Sequence, residues 1–206
     1  MKVSLISVTP KAEENIVYIA RVSSKREDKK SKSEGLLNYL INHKHWSPFE
    51  HSHMTVEIET SKAIGIQLIR HRSFTFQEFS QRYQNVELLG DMFEKIEFRK
   101  QCKDNRQSST EVVKTSNAEV QHLLLDIKRM YQGLIEDGVS RETARMILPL
   151  CTKTRIHMTG SVRSWIHFLE LRDDVHAQKE IQLIAKEIKC IFMEEFPIIA
   201  KALKYE

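Results

Sequence analysis

An apolar run in the first half of the chain passes without a break into a cluster of cationic side chains. The apolar part is Ala63 to Ile69, and Arg70, His71 and Arg72 follow it directly. Scattered charges would serve solubility equally well, so donors this dense at the end of a buried element need another explanation. Guanidinium and imidazole groups side by side match the oxygen atoms of a phosphate or of an anionic ring. The segment from Arg70 to Tyr83 is therefore predicted to form an anion-binding wall.

Length and composition restrict the class of protein. The chain has 206 residues, which is enough for one domain with a substantial core, and its 41% hydrophobic and 29% charged residues are ordinary for a soluble globular protein. The net charge of +4 suits an anionic small molecule as well as a nucleic acid. The three cysteines are widely spaced and odd in number, so no disulfide framework is expected, and no apolar run is long enough to span a membrane. The N-terminus also lacks a signal peptide, so a soluble cytoplasmic protein is predicted.

Hydrophobic periodicity predicts helices with a few strands between them. Strands are predicted at Val3–Val8, Met54–Thr60, Met92–Phe98 and Cys151–His157. Helices are predicted from Thr9-Pro10 to about Arg21, over Glu34–His43, over the apolar run after Ser61, over Ala118–Asp137, from Ser140 to Pro149, over Val162–Leu171 and over Val175–Glu194. The charged segment Ser23–Ser33 is predicted to be a surface loop.

A histidine-rich segment, His43 to His53, raises the question of a metal site. Two His-x-His pairs and a glutamate lie there, and imidazole and carboxylate are ordinary zinc ligands. A His-x-His pair puts both rings on one side only in an extended strand, however, and Trp46 and Pro48 interrupt the segment. No cysteine partner and no His-Glu-x-x-His spacing accompany it. A polar turn that lines a ligand pocket is the preferred interpretation, and no metal is predicted.

Two later segments carry cationic side chains at helical spacing. Arg141 and Arg145 are four residues apart, as are Arg163 and His167, so each pair is expected on one helix face. Ser161 stands at the predicted N-terminus of the second helix, where free N–H groups and the helix dipole favour a phosphate. Taken alone, each arginine could equally be a solvated surface charge. No Rossmann glycine turn and no P-loop is present, so any nucleotide must be bound by side chains and helix ends.

The anion-binding wall closely resembles the Arg-His-Arg-x7-Ser signature of the flavin-dependent thymidylate synthases, with Ser80 at its end. Ordered blocks covering most of the chain, from about residue 20 to 195, make chance a poor explanation. The chain departs from the family at Thr75, where Ser or Ala is usual, at Gln77, usually Asn, and at Ser161, often Asn. The further matching blocks are Glu78-x-Ser80-x-Arg82-Tyr83, Ser47-Pro48-Phe49-Glu50-His51, Ala144-Arg145 with Leu148-Pro149, and Arg163 through Arg172 to Ala177-Gln178-x-Glu180-Ile181.

The resemblance implies an α+β fold, a mostly antiparallel sheet flanked by long helices, in one domain over residues 1–206. It implies reductive methylation of dUMP to dTMP, with 5,10-methylenetetrahydrofolate as carbon donor, FAD as hydride carrier, NADPH as reductant and no cysteine nucleophile. It also implies a homotetramer whose active sites each use residues of several subunits, with no nucleic-acid or membrane partner. A chain of this length without a nucleotide-binding fold could hardly enclose three such ligands alone.

The family positions imply roles for individual residues. Arg172 is given the catalytic role, because a guanidinium beside N3 and its carbonyls favours the ionised pyrimidine. Arg172 follows an apolar turn, where a cation is usually paired with an acid or a ligand. Ser80 is expected to bind dUMP rather than to act as a nucleophile, because no base lies beside it in the sequence. The expected flavin contacts are Ser47, Arg70, His71, Arg72, Glu78, Ser161, Val162, Arg163 and His167. The expected dUMP contacts are Gln67, Arg70, Glu78, Phe79, Ser80, Gln81, Arg82, Arg145 and Arg172, with Gln67 one helical turn before Arg70 and on the same face.

Two other hypotheses remain open. A nucleic-acid-binding module would hold backbone phosphates with its arginines and stack bases on Phe74, Phe76 and Tyr83, although the even share of acidic residues speaks against it. A degenerate relative would bind flavin or dUMP without turning it over, and the intact charged signature speaks against that. Cys102, Cys151 and Cys190 have no activating cationic motif around them and are expected to be ordinary thiols.

Overall fold

The computed structural model describes residues 1–22, 33–113 and 117–205. None of the helices in these ranges is long and apolar enough to cross a membrane. The strands are β1 (Lys2–Val8), β2 (His53–Ser61), β3 (Phe74–Glu78), β4 (Arg99–Gln101), β5 (Ser109–Val112) and β6 (Lys153–Ser161). The helices are α1 (Ala12–Ala20), α2 (Ser33–Asn42), α3 (Lys62–Leu68), α4 (Asn117–Glu136), α5 (Arg141–Ala144), α6 (Val162–Arg172), α7 (Lys179–Glu195) and α8 (Pro197–Ala202). Short 3-10 helices lie at Ser47–His51, Val86–Leu89 and Arg145–Ile147.

Four strands form one sheet in the order β1-β2-β6-β3, and β4 and β5 form a separate antiparallel pair. Across β2 and β6, residue numbers rise on one strand as they fall on the other, so these strands run antiparallel. Alternate residues of both strands are buried. The predicted α+β fold, with an antiparallel sheet and long helices, is confirmed. The side-chain pairs between β2 and β6 are Thr55 with Thr159, Glu57 with His157 and Glu59 with Arg155.

The chain divides into two compact units, and three of the boundaries between them fall inside β2, β3 and β6. Arg70 and the segment from Gln77 to Tyr83 belong to the first unit, whereas the segment from His71 to Phe76 belongs to the second. The single domain implied by the family resemblance stays a prediction. The first unit comprises Met1, Ile58–Arg70 and Gln77–Ile156, and the second comprises Lys2–Glu57, His71–Phe76 and His157–Glu206.

The core of the first unit is built on the long helix α4. Tyr131 of α4 is buried with Val86, Met92 and Ala144. After α4 ends, Gly138 has φ of +83°, a left-handed conformation that glycine adopts without the strain a side chain would add. This turn brings α5 back to the same core, so Ala144 is buried there and the next residue, Arg145, is fixed at its edge.

The core of the second unit is an aromatic cluster carried by α6. Trp165 and Phe168 are fully buried, and their rings lie 4.6 and 6.0 Å from the ring of Phe74. The Trp165 indole N–H donates to the carbonyl of Met54 at 3.0 Å. A Cβ on Gly160 would lie 2.4 Å from ring atoms of Phe74, so only glycine allows this close approach. This packing holds Phe74 in place, in the part of the anion-binding wall that belongs to the second unit. Helix α7 adds Ile181, Ile184, Ala185, Ile188 and Phe192 to the buried residues.

The predicted strand at Met92–Phe98 is wrong. Phe93 makes only an isolated bridge with Thr152, and the strand that follows is the short Arg99–Gln101. Met92 and Phe93 both pack into the core of the first unit, so their side chains do not alternate between two faces as a strand requires.

Three boundaries also differ from the sequence-based prediction. Strand β6 starts at Lys153 rather than Cys151, because Thr152 closes a turn onto the Pro149 carbonyl, and it continues to Ser161. Helix α7 starts at Lys179 rather than Val175. Helix α3 ends at Leu68, so Arg70 follows it in a turn and does not share a helix face with Gln67. The predicted loop at Ser23–Ser33 lies outside the described residues, except that Ser33 opens α2. Strand β1 and helices α1, α2, α4 and α6 are confirmed close to their predicted bounds.

Candidate functional site

A cavity of about 420 Å³ in the second unit lies along α6, from Glu170 back to the N-terminal end of the helix. Helix α6 starts there because the Ser161 hydroxyl accepts the N–H of Ser164 at 3.2 Å, as a capping serine does. Arg163 and His167, predicted to share one helix face, both line the cavity. The full lining is Trp46, Glu50, Ser73, Arg163, Ser164, Ile166, His167 and Glu170.

Glu50 joins two of the predicted flavin contacts, although the sequence-based assignment did not include it. One carboxylate oxygen accepts the Arg163 guanidinium at 2.8 Å, and the other accepts the Ser161 hydroxyl at 2.6 Å. Burial alone would raise the pKa of the Glu50 carboxyl, but the hydrogen bonds from Ser161 and Arg163 and the charges of Arg163 and His53 lower it on balance. Its place in the family block Ser47–His51 was the signal that could have found it.

The N-terminus of α6 has fewer free N–H groups than the sequence suggested. The Val162 N–H donates to the Ser52 carbonyl at 2.8 Å, and the Ser164 N–H is taken by Ser161. An anion at this helix end would therefore rely on the Arg163 side chain more than on backbone donors. The Val162 side chain is buried and Ser47 is exposed, and the flavin roles of both stay predictions.

Arg172, at the C-terminal end of α6, donates its Nε–H to Nε2 of His71 at 2.9 Å. Burial, followed by the charges of Arg172 and His167, lowers the pKa of His71 to about 4. Burial also lowers the pKa of Arg172. No carboxylate of the described residues forms an ion pair with Arg172. The sequence led us to expect an acid or a ligand as its partner. In the described part of the chain the partner is a neutral imidazole, and a ligand partner stays a prediction.

The two arginines that flank His71 are exposed. The side chains of Arg70, in the first unit, and Arg72, in the second, make no hydrogen bond or ion pair with any residue in the described part of the chain. Both guanidinium groups are therefore open to an anionic ligand, as the prediction of an anion-binding wall requires.

A second cavity, of about 600 Å³, lies in the first unit beside the turn that starts at Ser80. The Ser80 carbonyl closes this turn by accepting the N–H groups of Tyr83 and Gln84 at 3.1 and 2.9 Å. The lining is Ser80, Arg82, Tyr83, Ser140, Arg141 and Glu142. Two predicted dUMP contacts, Ser80 and Arg82, are thus brought to the same cavity.

Glu142 connects Arg82 with another predicted dUMP contact, Arg145. Its carboxylate pairs with Arg82 at 3.3 Å, and its backbone carbonyl accepts the Arg145 Nε–H at 3.3 Å. Both partners of the ion pair are largely exposed, so an anionic ligand can displace the carboxylate at little cost. The sequence-based assignment did not include Glu142, and its nearness to Arg145 in the chain was the only signal for it.

The remaining predicted dUMP contacts of the first unit have more restricted surroundings. One oxygen of Glu78 accepts both Lys62 Nζ at 2.8 Å and the Thr154 hydroxyl at 2.7 Å, so this carboxylate is held in place. Gln81 is only 6% exposed, and its Nε2 has no hydrogen-bond partner among the described residues. A buried amide without a partner is costly, which makes Gln81 a candidate for a contact that forms with a ligand. Gln67 and Phe79 are half-buried.

The histidine-rich segment packs against an aromatic ring. His43 stacks on Tyr39 with ring centroids 4.1 Å apart, and His45 meets the same ring edge-on at 5.8 Å. Within residues 1–22, 33–113 and 117–205, no group of three or more His, Cys, Asp or Glu side chains is arranged to hold a metal ion. That no metal is bound stays a prediction.

Comparison with known proteins gives a consistent result along the chain. Residues 4–198 match the model of a family described as thymidylate synthase complementing protein. A probable flavin-dependent thymidylate synthase of Paramecium bursaria Chlorella virus 1 is 43% identical over 218 aligned positions, which cover 100% of both chains. The flavin-dependent thymidylate synthase of Synechocystis is 42% identical over 195 positions, covering 92% of this chain and 88% of its own.

A solved structure resembles the fold along nearly its whole length. It is a UMP/dUMP methylase, PolB, from Streptomyces cacaoi, bound with 5-Br dUMP. The TM-score is 0.80 at 28% sequence identity, and the match covers 98% of this chain and 94% of the other.

Proposed function

The chain belongs to the family of flavin-dependent thymidylate synthases, and from this premise we propose the reaction and the residues that carry it. It is an FAD-dependent methyltransferase that converts dUMP to dTMP by reductive methylation. 5,10-Methylenetetrahydrofolate donates the carbon, and NADPH is the reductant. The observation that carries the proposal is the environment of Arg172, a partly desolvated cation with no carboxylate partner in the described part of the chain.

An uncompensated guanidinium suits the chemistry of the pyrimidine. Uracil accepts a hydride at C6 more readily when negative charge on the ring is stabilised, and a fixed cation beside N3 and its carbonyls favours the ionised ring. Partial burial disfavours the charged form of Arg172 and lowers its pKa. An anionic ring beside it relieves that cost, so the attraction is greatest for the ionised form.

The phosphate of dUMP is assigned to the cavity of the first unit. Arg82 lines this cavity, and Arg145 is bonded to the backbone carbonyl of Glu142, another lining residue; both supply guanidinium donors, and the turn at Ser80 supplies a hydroxyl. The Arg82–Glu142 pair is exposed, so a doubly charged phosphate replaces a carboxylate at modest cost. We assign the rest of dUMP binding to Gln67, Arg70, Glu78, Phe79, Gln81 and Arg172.

The cavity of the second unit fits part of FAD by its chemistry. The Arg163 guanidinium and the Ser73 hydroxyl are donors for phosphate oxygens, and Trp46 offers a ring surface, whereas the buried Ser164 hydroxyl already donates to the Ser73 carbonyl at 3.2 Å. Its volume of about 420 Å³ is within the usual range of ligand pockets. When bound, FAD supplies the hydride transfer from NADPH. We assign its binding to Ser47, Arg70, His71, Arg72, Glu78, Ser161, Val162, Arg163 and His167.

No side chain is assigned as a nucleophile. The Ser80 hydroxyl makes no hydrogen bond to a base in the described part of the chain, and a neutral hydroxyl is weak without one. Burial raises the pKa of the Cys151 thiol, so at neutral pH it carries less thiolate than a free cysteine. Cys102 is half-buried and Cys190 is exposed. The redox chemistry is left to the flavin.

The assembly follows from the size of the ligands. A cavity of about 420 Å³ does not enclose FAD, folate and NADPH together, so we propose a homotetramer in which several subunits contribute to each active site. The single domain over residues 1–206 and the cytoplasmic location belong to the same proposal.

The reaction is tested with purified protein reconstituted with FAD. Tritium release from [5-³H]dUMP and formation of dTMP are expected, and both should require methylenetetrahydrofolate and NADPH. Flavin absorbance should change when dUMP is added. Protein that binds FAD and dUMP but forms no dTMP with both co-substrates present would contradict the proposed function.

A further inference from the structure

We propose that His71 is a positioning residue for Arg172: its imidazole accepts the Arg172 Nε–H and directs the remaining guanidinium donors to the pyrimidine of the substrate. The inference rests on the proposed function, in which Arg172 acts on the dUMP ring. His71 was predicted only as a flavin contact, so its action through Arg172 is an additional role within the same active site.

The geometry of the contact between Arg172 and His71 decides which N–H donors of Arg172 remain for the substrate. Arg172 Nε lies 2.9 Å from His71 Nε2, and among the described residues this is the only hydrogen bond of the Arg172 side chain. A guanidinium has five N–H donors in a fixed plane, and the Nε–H takes one of them. The two terminal nitrogens keep the other four, and these are the parallel donors that can meet N3 and a carbonyl of uracil side by side.

The acceptor is neutral, so it orients Arg172 without cancelling its charge. Because Nε2 accepts, the ring proton of His71 lies on Nδ1. The charged and titratable groups that face His71 are Arg172 and His167 of α6, and a positive charge on either of them opposes a second proton on the His71 ring. Its pKa of about 4 keeps the ring neutral at physiological pH. A carboxylate in this place would hold Arg172 equally well but would neutralise the charge that the substrate ring needs.

The packing around His71 keeps the acceptor in place. Its ring lies edge-on to Phe168 at 5.0 Å and to Phe74 at 6.2 Å, and its carbonyl accepts the Phe74 N–H at 3.1 Å. Phe168 is fully buried, and Phe74 is confined by the close approach of Gly160. A hydrogen-bond partner fixed by its own packing is what precise orientation of a catalytic group requires.

Three substitutions of His71 distinguish the orientation of Arg172 from the effect of a charge beside it. His71→Gln keeps a neutral acceptor at a similar reach and is the conservative rescue. His71→Leu removes the acceptor, and His71→Glu keeps an acceptor but adds a negative charge. The matched controls are His122→Gln and His122→Leu, because His122 is an exposed histidine on α4 outside both cavities.

The readout is how strongly the FAD-loaded protein prefers an ionised ring. Bromine makes N3 of 5-Br dUMP more acidic, so the ratio of the Kd values of dUMP and 5-Br dUMP, measured from pH 6 to 9, reports the stabilisation of the ionised form. Loss of one charge-directing hydrogen bond should lower this ratio about tenfold in His71→Leu. His71→Glu should lower it at least as far, and His71→Gln and the His122 variants should stay within about twofold of wild type. FAD affinity is measured in parallel.

If His71→Leu also weakens FAD binding, a double-mutant cycle with Arg172→Lys still tests whether His71 acts through Arg172. Arg172→Lys lacks the Nε donor, so in that background His71→Leu should change the Kd ratio no further. Additive effects of the two substitutions, or an unchanged ratio in His71→Leu, would overturn the inference while leaving the proposed function standing. Wild-type protein that binds neither nucleotide would overturn the proposed function and this inference with it.

Discussion

Arg163 and Arg172 lie on the same helix and have opposite kinds of partner. Arg163 at the start of α6 pairs with the Glu50 carboxylate at 2.8 Å, whereas Arg172 at its end donates to the neutral ring of His71 at 2.9 Å. A carboxylate cancels the charge of its arginine and has to give way to an anionic ligand, while a neutral acceptor orients the arginine and leaves the charge available. The first arrangement suits reversible binding, and the second suits stabilisation of a developing charge.

Arg82, in the first unit, has the same kind of partner as Arg163. It too pairs with an exposed carboxylate, Glu142, at 3.3 Å. Both arginines are assigned to phosphate groups, and neither ion pair is buried. Arg82 and Arg163 thus differ from Arg172 in the partner that each has in the folded chain.

The largest effect is expected from Arg172→Ala compared with Arg163→Ala. Removing a donor from a developing charge costs a factor of about 10² to 10³ in kcat, so Arg172→Ala should lose nearly all dTMP formation at saturating ligands. Arg163→Ala should raise the Kd for FAD and keep kcat within about tenfold once FAD saturates, since one charged hydrogen bond is lost from binding. An equal loss of kcat in both variants would contradict the assignment of Arg172 to catalysis and Arg163 to binding.

The control for this prediction is Ser80→Ala, which removes an exposed hydroxyl from the other cavity. It should keep measurable dTMP formation, because Ser80 is assigned to binding and not to nucleophilic attack. A Ser80→Ala protein that binds dUMP normally and forms no dTMP would contradict that assignment.

The second largest effect is expected from the two arginines of the first unit that are assigned to the dUMP phosphate. Arg82→Ala and Arg145→Ala should each weaken dUMP binding by about 10- to 100-fold, the value of one charge-assisted hydrogen bond. Binding of deoxyuridine, which has no phosphate, should hardly change. The control is Arg129→Ala, which removes an exposed pair with Asp126 on α4. If Arg82→Ala weakens deoxyuridine and dUMP equally, Arg82 does not contact the phosphate.

A smaller effect is expected from Gly160→Ala in the second unit. The new Cβ would lie 2.4 Å from the Phe74 ring. Such overpacking lowers the free energy of unfolding by about 1 to 3 kcal/mol, and it should also displace the ring that packs on His71. The matched control is Gly133→Ala on α4, where an added Cβ meets nothing within 4 Å. That change should stabilise the protein by about 0.5 to 1 kcal/mol, and urea unfolding measures both.

The smallest expected effect is on the pH dependence of stability. This dependence should differ between His71, the partner of Arg172, and Glu50, the partner of Arg163. His71 has a folded-state pKa of about 4 against 6.5 when unfolded, so the unfolded chain takes up the proton first and stability falls as pH drops from about 6.5 to about 4. Glu50 has a lowered pKa, so its contribution is present above its unfolded value of 4.5 and is lost as pH falls through the folded value. Both groups are partly exposed, so each slope should stay well below the ~1.4 kcal/mol per pH unit of one full proton.

The measurement is urea unfolding at several pH values. His71→Gln should flatten the dependence between about pH 6.5 and 4, and Glu50→Gln should act only below about pH 4.5. A His71→Gln protein with the wild-type pH dependence in its window would show that His71 takes up its proton equally in both states.

The sequence by itself determined much of this protein. Periodicity predicted helices such as α4 and α6 and the strand β2, because each buries one face along its own length. The signature from Arg70 to Tyr83, with the later blocks around Arg145 and Arg172, identified the family. These features are local, so no knowledge of distant neighbours is needed to recognise them.

Only the tertiary structure decided which partner each arginine has. Glu50 meets Arg163 across 113 residues of sequence, Glu142 meets Arg82 across 60, and His71 meets Arg172 across 101. The same separation explains why the predicted strand at Met92–Phe98 was wrong, since packing against α4 overrode the local pattern. Whether an arginine's charge is cancelled or left free depends on side chains that the fold brings together, and that information is absent from any short stretch of the chain.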